Sequence, residues 1–494
     1  MSGGKPIFYS ALLLTFVNLL LRLVGTSFQV YLSGRIGAEG IGLLQLVLSV
    51  GSMALVAGMA GIRTATMYLT AEEVGRGKPE NGRWVLSGCV TYSMICSITV
   101  AAVLGYFAPV IAQQWIGHSE TTQAVRLFAA FLPVNCLTGV MVGSFTGSQR
   151  IRTLAAVEVA EQLFSMVCTV ALLTLWAGHD APKCCLAVVM GSGLGSCLTL
   201  ICLTLLRLLE RRSVTAQIPV FRRLLDTAVP LAIADDLRTG ISTVENLIVP
   251  KRLALFPGVV SPLAAFGTVC GMVFPILMFP VAILYGLTEL LIPELARCRA
   301  AGSQKRIEYL VQKSMSITLL YGTLCAGILY LTAPELCRSL YDSPEAGAYL
   351  RLFAPLAVML YCDTVTDAMI KGLGQQKASV RYNIVTNILD VVLLYILLPR
   401  YGMDGYFFSF LLTHVINFWL SSRRLSRISR VRIGWQMPSA TIGIAIAAAW
   451  AAGFVRPALG RSAAFTVILL SGWILADVVS KEDLLWLQGL IRKK

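Results

Sequence analysis

The sequence predicts an all-α protein that crosses a membrane many times, and its composition and its apolar runs both support this fold class. Hydrophobic residues make up 56% of the 494 residues and charged residues only 14%, whereas soluble domains contain about 25% charged residues. A bilayer core about 30 Å thick is crossed by roughly 20 apolar helical residues, and about fourteen such runs follow one another along the chain. The runs are continuous rather than alternating, which excludes a membrane β-barrel.

The predicted membrane segments are joined by short loops and leave no room for a large soluble domain. They are 7–32, 41–69, 84–109, 122–147, 154–177, 184–208, 224–249, 261–288, 308–332, 348–370, 380–399, 405–422, 438–456 and 463–479. The first segment is too long for the core of a signal peptide, and no small-residue cleavage site follows it. We therefore expect it to be retained as a helix.

The positions of lysine and arginine predict the orientation of the chain. Most of the 41 Lys and Arg residues fall in loops that share one side of the membrane with the N-terminus, and such loops are usually cytoplasmic. Both termini and the linker at 210–223 are therefore expected in the cytoplasm. The same distribution accounts for the net charge of +15 through contacts with anionic lipid headgroups, so no nucleic-acid partner is expected.

The sequence offers no sign of a cofactor, a metal centre or an enzyme active site. The 13 cysteines form no CxxC pair and no Cys/His cluster with metal-ligand spacing. The loops are too short to fold as a catalytic domain, and none is a glycine-rich nucleotide-binding loop. We predict that the chain is not an enzyme and that it needs no cofactor.

Two stretches of the chain resemble each other and predict an internal repeat. Arg126-Leu-Phe-Ala begins the fourth segment and Arg351-Leu-Phe-Ala the tenth, and the two segments are followed by Gly147-Ser-Gln-Arg150 and Gly374-Gln-Gln-Lys377. Six segments per repeat is an even number, so the two copies are parallel. The prediction is an N-terminal lobe at 1–212, a C-terminal lobe at 213–430, and two further helices with a cytoplasmic tail at 431–494. Lobes of this kind enclose a central cleft and suit alternating access.

A polar face runs along the first segment, where lipid-facing residues would be apolar. Its members recur every three or four residues, as helical neighbours do; they are Thr15, Asn18, Arg22, Thr26, Gln29 and Ser33. This face either lines a cavity or forms a seam in which a carboxylate of another helix neutralises Arg22. Six aligned polar residues exceed what a seam requires, so we favour the cavity.

The seventh segment carries a similar face of charged and polar residues, made of Asp235, Arg238, Ser242 and Glu245. Asp235 and Arg238 could instead neutralise each other within the helix. Arg63, at the end of the second segment, either faces the cavity or extends to the membrane interface. Pro275 and Pro280 are expected to break the eighth segment, as a hinge or as a packing kink.

Two further helices carry polar faces of their own. Asp363, Asp367 and Lys371 share one face of the tenth segment, and Asn383, Asn387 and Asp390 share one face of the eleventh. His414 and Asn417 are expected to form a satisfied buried hydrogen bond rather than a site.

These residues predict a cavity of mixed charge that accepts an anionic group. Arginine suits phosphate because its planar fork donates two hydrogen bonds and stays charged when desolvated. A site for cationic drugs would depend on carboxylates, and the first lobe has only Glu158 and Glu161 in its helices. The expected substrate-binding residues are Arg22, Asn18, Thr26, Gln29, Arg63, Arg238 and Ser242. The residues expected to couple to ions or to balance charge are Asp235, Asp236, Glu245, Asp363 and Asp367.

Several short motifs resemble the stage V sporulation protein B family of the multidrug/oligosaccharidyl-lipid/polysaccharide (MOP) exporter superfamily, which also contains the lipid II and O-antigen flippases. The motifs are Asn18-Leu-Leu-Leu-Arg22-Leu-Val-Gly25, Gly61-Ile-Arg-Thr-Ala65, Glu245-Asn-Leu-Ile-Val-Pro250, Leu291-Ile-Pro-Glu-Leu-Ala296 and Ser480-Lys-Glu-Asp-Leu484. The resemblance implies two MATE-like six-helix lobes and two extra helices that hold a lipid tail. It also implies a pyrophosphate site that includes the first-helix arginine, Arg22. A second family arginine falls at Phe28 here, and many members have proline where this chain has Arg63.

The residues and the resemblance together predict a flippase of the bacterial plasma membrane. Its expected substrate is an undecaprenyl-pyrophosphate-linked sugar, a lipid II-like precursor of the cell wall or of a polysaccharide, and its other partners are membrane lipids and a coupling cation. One alternative is a cation-coupled multidrug exporter of the same fold, which needs an essential carboxylate in the first lobe. The other is a membrane-embedded glycosyltransferase or ligase, which needs a long outer loop with acidic or histidine catalysts.

Overall fold

The computed structural model describes residues 4–76, 81–178, 180–209, 220–431 and 436–476, without the side chains of residues 4–18, 220 and 436–437. Every regular element in this part of the chain is helical, so the all-α prediction is confirmed. Most of the 210–223 linker, the predicted boundary at 212 and 213, the tail from residue 477 and the Ser480-Lys-Glu-Asp-Leu484 motif lie outside the described residues.

The first half of the chain forms helices that follow the apolar runs closely. They are α1 (Gly4–Met59), α2 (Ile62–Gly75), α3 (Gly82–Val110), α4 (Thr122–Gly147), α5 (Ile151–Leu172), α6 (Ala181–Leu208), α7 (Val220–Leu253) and α8 (Pro262–Gly267). Wider π-helical turns extend α3 to Ile116 and α5 to Ala177. A third π-helical stretch, Thr268–Val273, follows α8.

The second half of the chain continues as α9 (Phe274–Met278), α10 (Val281–Ala300), α11 (Gln304–Tyr341), α12 (Pro344–Phe353), α13 (Ala357–Gly372), α14 (Gln376–Ser429), α15 (Gln436–Ala452) and α16 (Ala458–Leu475). The axis bends by 57° between the α8–α9 region and α10. Pro280 lies at this bend, as predicted, because proline cannot donate the backbone hydrogen bond that would continue the helix.

Glycines with positive φ separate several of the predicted segments. Gly37 (φ 71°) interrupts α1 and Gly402 (φ 58°) interrupts α14, so each of these long helices contains two predicted segments. Ala60 (φ 42°) and Gly61 (φ 71°) end α1 before α2. The predicted segment 41–69 is therefore two helices rather than one.

Nine of the described helices are long and apolar enough to span a membrane, or ten if the bent region at 262–300 is one span. Two of the nine, at 19–75 and 376–429, each contain two predicted segments. α7 is not among them, because its four acidic residues and its arginines lower its hydropathy, and α15 is too short. The chain is thus polytopic, and the number of fourteen crossings stays a prediction.

The helices form two compact units. The first contains residues 1–271 and 387–406, and the second contains residues 272–386 and 407–494. In the first unit, Leu224 and Ala228 of α7 are fully buried against a core that includes Ile62, Leu69 and Val85. In the second unit, α15 and α16 pack on α11 through a core that includes Phe465 and Trp473. The lobe boundaries predicted from the sequence repeat stay a prediction.

The two stretches that predict the repeat end in similar ways. α4 ends at Gly147, where an added Cβ would lie 2.5 Å from the carbonyl oxygen of Met67. α13 ends at Gly372, where an added Cβ would lie 2.9 Å from the carbonyl oxygen of Ile292. Gly147 and Gly372 are the last residues of α4 and α13, and their sequence separation equals that of Arg126 and Arg351.

Candidate functional site

The polar face of α1 is partly a seam between helices. The Gln29 Nε2 atom donates a hydrogen bond of 3.1 Å to the carbonyl oxygen of Gly271, in the π-helical stretch after α8. Arg22 and Thr26 are half-buried on the same helix. The side chain of Asn18 is outside the described part of the structure. Gln29 therefore has a packing role, and Arg22 and Thr26 remain the candidates for substrate contact.

Arg63 begins α2 at a point where three helices come very close together. An added Cβ at Gly61 would lie 2.4 Å from the carbonyl oxygen of Ala228 in α7, and one at Gly143 of α4 would lie 2.4 Å from the carbonyl oxygen of Arg63. The close approach fixes the backbone of Arg63, whereas its side chain is exposed. Glu158 of α5 is an electrostatic neighbour of this arginine.

The polar residues of the second predicted segment hold α1 against α7. The Thr243 hydroxyl donates to the carbonyl oxygen of Ser49 at 3.1 Å, and Asn246 Nδ2 donates to the Ser49 hydroxyl at 2.9 Å. These contacts place Thr243 and Asn246 on the packed face of α7. Ser242, which is exposed, lies on a different face.

The charged residues of α7 do not neutralise each other. Within the described residues, Asp235 and Arg238 form no ion pair, and both side chains are exposed. One carboxylate oxygen of Asp236 is buried without a hydrogen-bond partner in the same part of the chain. The exposed face of α7 therefore keeps separate positive and negative charges at Arg238 and Asp235.

Glu245 of α7 lies close to a second carboxyl group, that of Asp390, which the sequence analysis did not include among the site residues. It lies within hydrogen-bonding reach of Asp390, a buried residue of α14. Cys270 and Tyr406 belong to the same group, with 3.9 Å between the Cys270 sulfur and the Tyr406 hydroxyl. Two carboxyl groups this close make the pair a candidate for holding a proton or a cation.

The acidic residues of α13 have partners within the second unit. Asn417 Nδ2 donates to Asp363 at 2.9 Å and to the side-chain oxygen of Asn383 at 3.4 Å. Asp367 pairs with Lys371 at 2.6 Å and also accepts a hydrogen bond from Ser379. The charge of Asp367 is thus balanced locally, whereas one buried oxygen of Asp363 has no hydrogen-bond partner among the described residues.

An ionic cluster between α2 and α7 was not predicted. Arg223 contacts Glu72 at 2.6 Å and Glu73 at 3.1 Å, and Arg76 contacts the same two carboxylates at 2.5 and 3.1 Å. Glu73 is only 2% exposed, and its other oxygen accepts a hydrogen bond of 2.9 Å from Asn81. The only sequence signal was the presence of acidic residues after one segment and basic residues before another.

The described residues contain no group of three or more His, Cys, Asp or Glu side chains that could hold a metal ion. The Glu245–Asp390 pair has two carboxyl groups and is a candidate only for a proton or a weakly held cation.

Comparison with known proteins identifies the class of this chain. Residues 38–256 match the family model described as polysaccharide biosynthesis protein, and residues 259–396 match the MatE model. Stage V sporulation protein B of Bacillus subtilis (strain 168) is 23% identical, over 98% of this chain and 95% of that protein. Lipid II flippase MurJ of the same organism is 22% identical, over 79% of this chain and 77% of that protein.

The fold has known counterparts as well. A structure of lipid II flippase MurJ in an inward closed conformation superposes with a TM-score of 0.69 at 12% identity, covering 94% of this chain and 98% of that one. The fold and the sequence matches define a multi-pass membrane transporter, and its flippase relatives agree with the prediction that it is not an enzyme. These matches support the resemblance to the MOP exporter superfamily that the motifs indicated.

Proposed function

We propose that this protein is a flippase for a lipid-linked sugar that carries a pyrophosphate, of the undecaprenyl type, in the bacterial plasma membrane. The observation that carries the proposal is the placement of three arginines in one compact unit. Arg22, Arg63 and Arg238 belong to α1, α2 and α7 of the first unit. None of their side chains is buried, so each is accessible to a ligand. Lipid II flippase MurJ, a relative by sequence, supports this substrate class.

The chemistry of the three arginines suits a diphosphate better than a cationic drug. A guanidinium donates two parallel hydrogen bonds to a phosphate and keeps its charge in a desolvated site. Arg22 and Arg238 would bind the pyrophosphate, and Arg63 would guide it from the membrane interface. Thr26 and Ser242 are close enough in sequence to Arg22 and Arg238, at one helical turn, to add hydroxyl contacts.

The acidic residues of the first unit would couple transport to an ion or balance the arginines. Glu245 and Asp390 form the best candidate, because a bound proton or cation would relieve the repulsion between the two carboxyl groups. Asp235 and Asp236 lie within one helical turn of Arg238 on α7 and would balance its charge through space, without an ion pair. In the second unit, Asp363 would take part in coupling, whereas Asp367 is already paired with Lys371.

The orientation belongs to the same proposal. With both termini in the cytoplasm, the Glu72–Arg223 end of α2 and α7 would face the cytoplasm, and the substrate would enter on that side. Translocation would proceed by alternating access of the two predicted lobes, 1–212 and 213–430. The helices after residue 431 would hold the lipid tail.

A cation-coupled multidrug exporter is the second candidate, and the MatE match at 259–396 favours it. It would use the carboxylates of α5 in the first predicted lobe. Glu161 accepts hydrogen bonds from Ser196 at 3.3 Å and from Thr199 at 2.7 Å, which assigns it a packing role. Of the two carboxylates of α5, Glu158 then remains for a cationic drug.

The test is a flipping assay in proteoliposomes with a labelled polyprenyl-pyrophosphate-linked sugar. Arg22→Ala is expected to insert normally and to lose transport, and Arg22→Lys to recover only part of it, because an ammonium replaces a bidentate fork. Arg297→Ala is the control, since Arg297 is 77% exposed and its carboxylate partner is 3.9 Å away. Unaltered transport by a well-expressed Arg22→Ala protein would overturn the assignment.

A further inference from the structure

A buried polar cluster in the second unit joins α13 to both halves of α14. Asp363 lies on α13, whereas Asn383 and Asn417 lie on α14, before and after the break at Gly402. Asn417 Nδ2 donates to Asp363 Oδ2 at 2.9 Å and to Asn383 Oδ1 at 3.4 Å. All three residues belong to the same compact unit. His414, the partner expected for Asn417, is not among its hydrogen-bond partners in the described part of the chain.

Hydrogen bonds fix the orientation of both carboxamides in this cluster. Both N–H groups of the Asn417 amide point at acceptors, so exchanging its oxygen and nitrogen would place an oxygen against the Asp363 carboxylate. Asn383 is oriented by its own amide nitrogen, which donates to the carbonyl oxygen of Ser379 at 3.0 Å. The Oδ1 atoms of Asn383 and Asn417 are therefore the amide oxygens that a ligand of this cluster would contact.

Two oxygens of the cluster are buried without a partner. They are Oδ1 of Asp363 and Oδ1 of Asn417, and neither accepts a hydrogen bond from a described residue. Asn417 is only 5% exposed, so its side chain is almost fully removed from solvent. Buried polar atoms are nearly always bonded. Two such acceptors on side chains that are bonded to each other indicate an occupant that binds lone pairs, which is a cation or a proton.

The charge of Asp363 is not compensated by any described side chain. Its charged neighbour, one helical turn further along α13, is the acidic Asp367, and this second carboxylate is already paired with Lys371 at 2.6 Å. Carboxylate and amide oxygens are ligands of hard cations. Because one carboxylate balances one positive charge, a monovalent cation fits this set of ligands better than a divalent one.

We propose that this cluster binds a monovalent metal cation such as sodium, with the Oδ1 atoms of Asp363, Asn417 and Asn383 as ligands. A metal ion coordinates several oxygens at once, whereas a proton bonds at most two of them. The ion would hold α13 to both halves of α14, so the protein is more stable when the ion is bound.

The proposal rests on the proposed function only for the use of the ion in transport. Binding is measured without a lipid substrate. A protein that binds sodium at Asp363 and does not flip a pyrophosphate lipid would therefore refute the proposed function and leave this site standing.

Binding of radioactive sodium to the purified full-length protein tests the site, with choline as the inert cation at constant ionic strength. The wild-type protein is expected to bind sodium, and sodium should raise its melting temperature relative to choline. Asp363→Asn removes the charged ligand at nearly unchanged volume. It should weaken sodium binding at least about tenfold, the size of effect expected when support of a metal site is lost.

Two control variants separate this site from other carboxylates. Asp404→Asn makes the same chemical change at an exposed aspartate of α14, and it should leave sodium binding unchanged. Glu245→Gln removes the other carboxyl candidate for a cation, in the first unit, and the sodium ion at Asp363 should remain bound. Unchanged binding by Asp363→Asn, or an equal loss in Asp404→Asn, would refute the site.

Asn417→Asp gives a second test that does not require Asp363→Asn to fold. The variant keeps an oxygen at residue 417 and adds a second carboxylate, which repels Asp363 unless a cation lies between them. Calcium should therefore raise the melting temperature of this variant and not that of the wild-type protein, and the absence of this effect would refute the site. Stabilisation of the wild-type protein by acid, without sodium binding, would assign the cluster to a proton and refute the metal ion.

Discussion

Replacing Arg223 by glutamine should destabilise the protein by about 2 kcal/mol. The variant loses a contact of 2.6 Å to Glu72, which is 44% exposed, and one of 3.1 Å to Glu73, which is 2% exposed. An exposed ion pair contributes about 0.2–1 kcal/mol, and a hydrogen bond to a buried charged group about 1.5–3 kcal/mol. The lower part of the combined range applies, because Glu73 keeps its ion pair with Arg76 and its hydrogen bond from Asn81.

The measurement is the free energy of unfolding in mixed micelles, with a denaturing detergent as the variable. Arg222→Gln is a matched control, because Arg222 is the adjacent arginine and is exposed, and because this substitution removes the same charge. It should change the free energy of unfolding by no more than about 0.5 kcal/mol. A double-mutant cycle of Arg223→Gln with Glu73→Gln should give a coupling energy above about 1 kcal/mol. Equal stabilities of the Arg222 and Arg223 variants would refute the reasoning.

Three further predictions follow from other parts of the chain. Gly61→Ala should lower the melting temperature strongly, since φ is +71° and the new Cβ would lie 2.4 Å from the Ala228 oxygen; an unchanged melting curve would contradict this contact. Thr199→Val should cost about 1–3 kcal/mol in the same unfolding assay, because Glu161 loses a hydrogen bond of 2.7 Å, and a loss below 0.5 kcal/mol would speak against that bond. Thr215→Cys in a cysteine-free protein should react with impermeant reagents only from the cytoplasmic side, and labelling from outside would overturn the predicted topology.

The helical fold class could be predicted because long apolar runs constrain a chain in lipid to helices. α4 was predicted with both of its bounds, Thr122 and Gly147. The break at Gly61 was missed, because its cause is the approach of α7, a helix distant in sequence. A glycine in an apolar run has the same appearance whether or not another backbone lies against it.

The candidate site was less predictable, because its groups meet across long sequence separations. Helical spacing identified Glu245, but no local pattern indicates that Asp390 approaches it. The same holds for Arg223 and Glu73, which are 150 residues apart. Spacing also suggested that Asp235 and Arg238 could pair, yet both side chains are exposed and form no ion pair with each other. Local periodicity identifies the face of a helix, whereas the partner of each charge depends on tertiary packing.

The most direct test of the central claim, recognition of a pyrophosphate by membrane arginines, compares three substrates in one proteoliposome preparation. They are a sugar on polyprenyl pyrophosphate, the same sugar on polyprenyl monophosphate, and a cationic drug supplied with a cation gradient. We expect the pyrophosphate lipid to be flipped faster than the monophosphate lipid. We also expect this flipping to depend on Arg22 and Arg238. Transport of the drug alone, unaffected by either arginine, would contradict it.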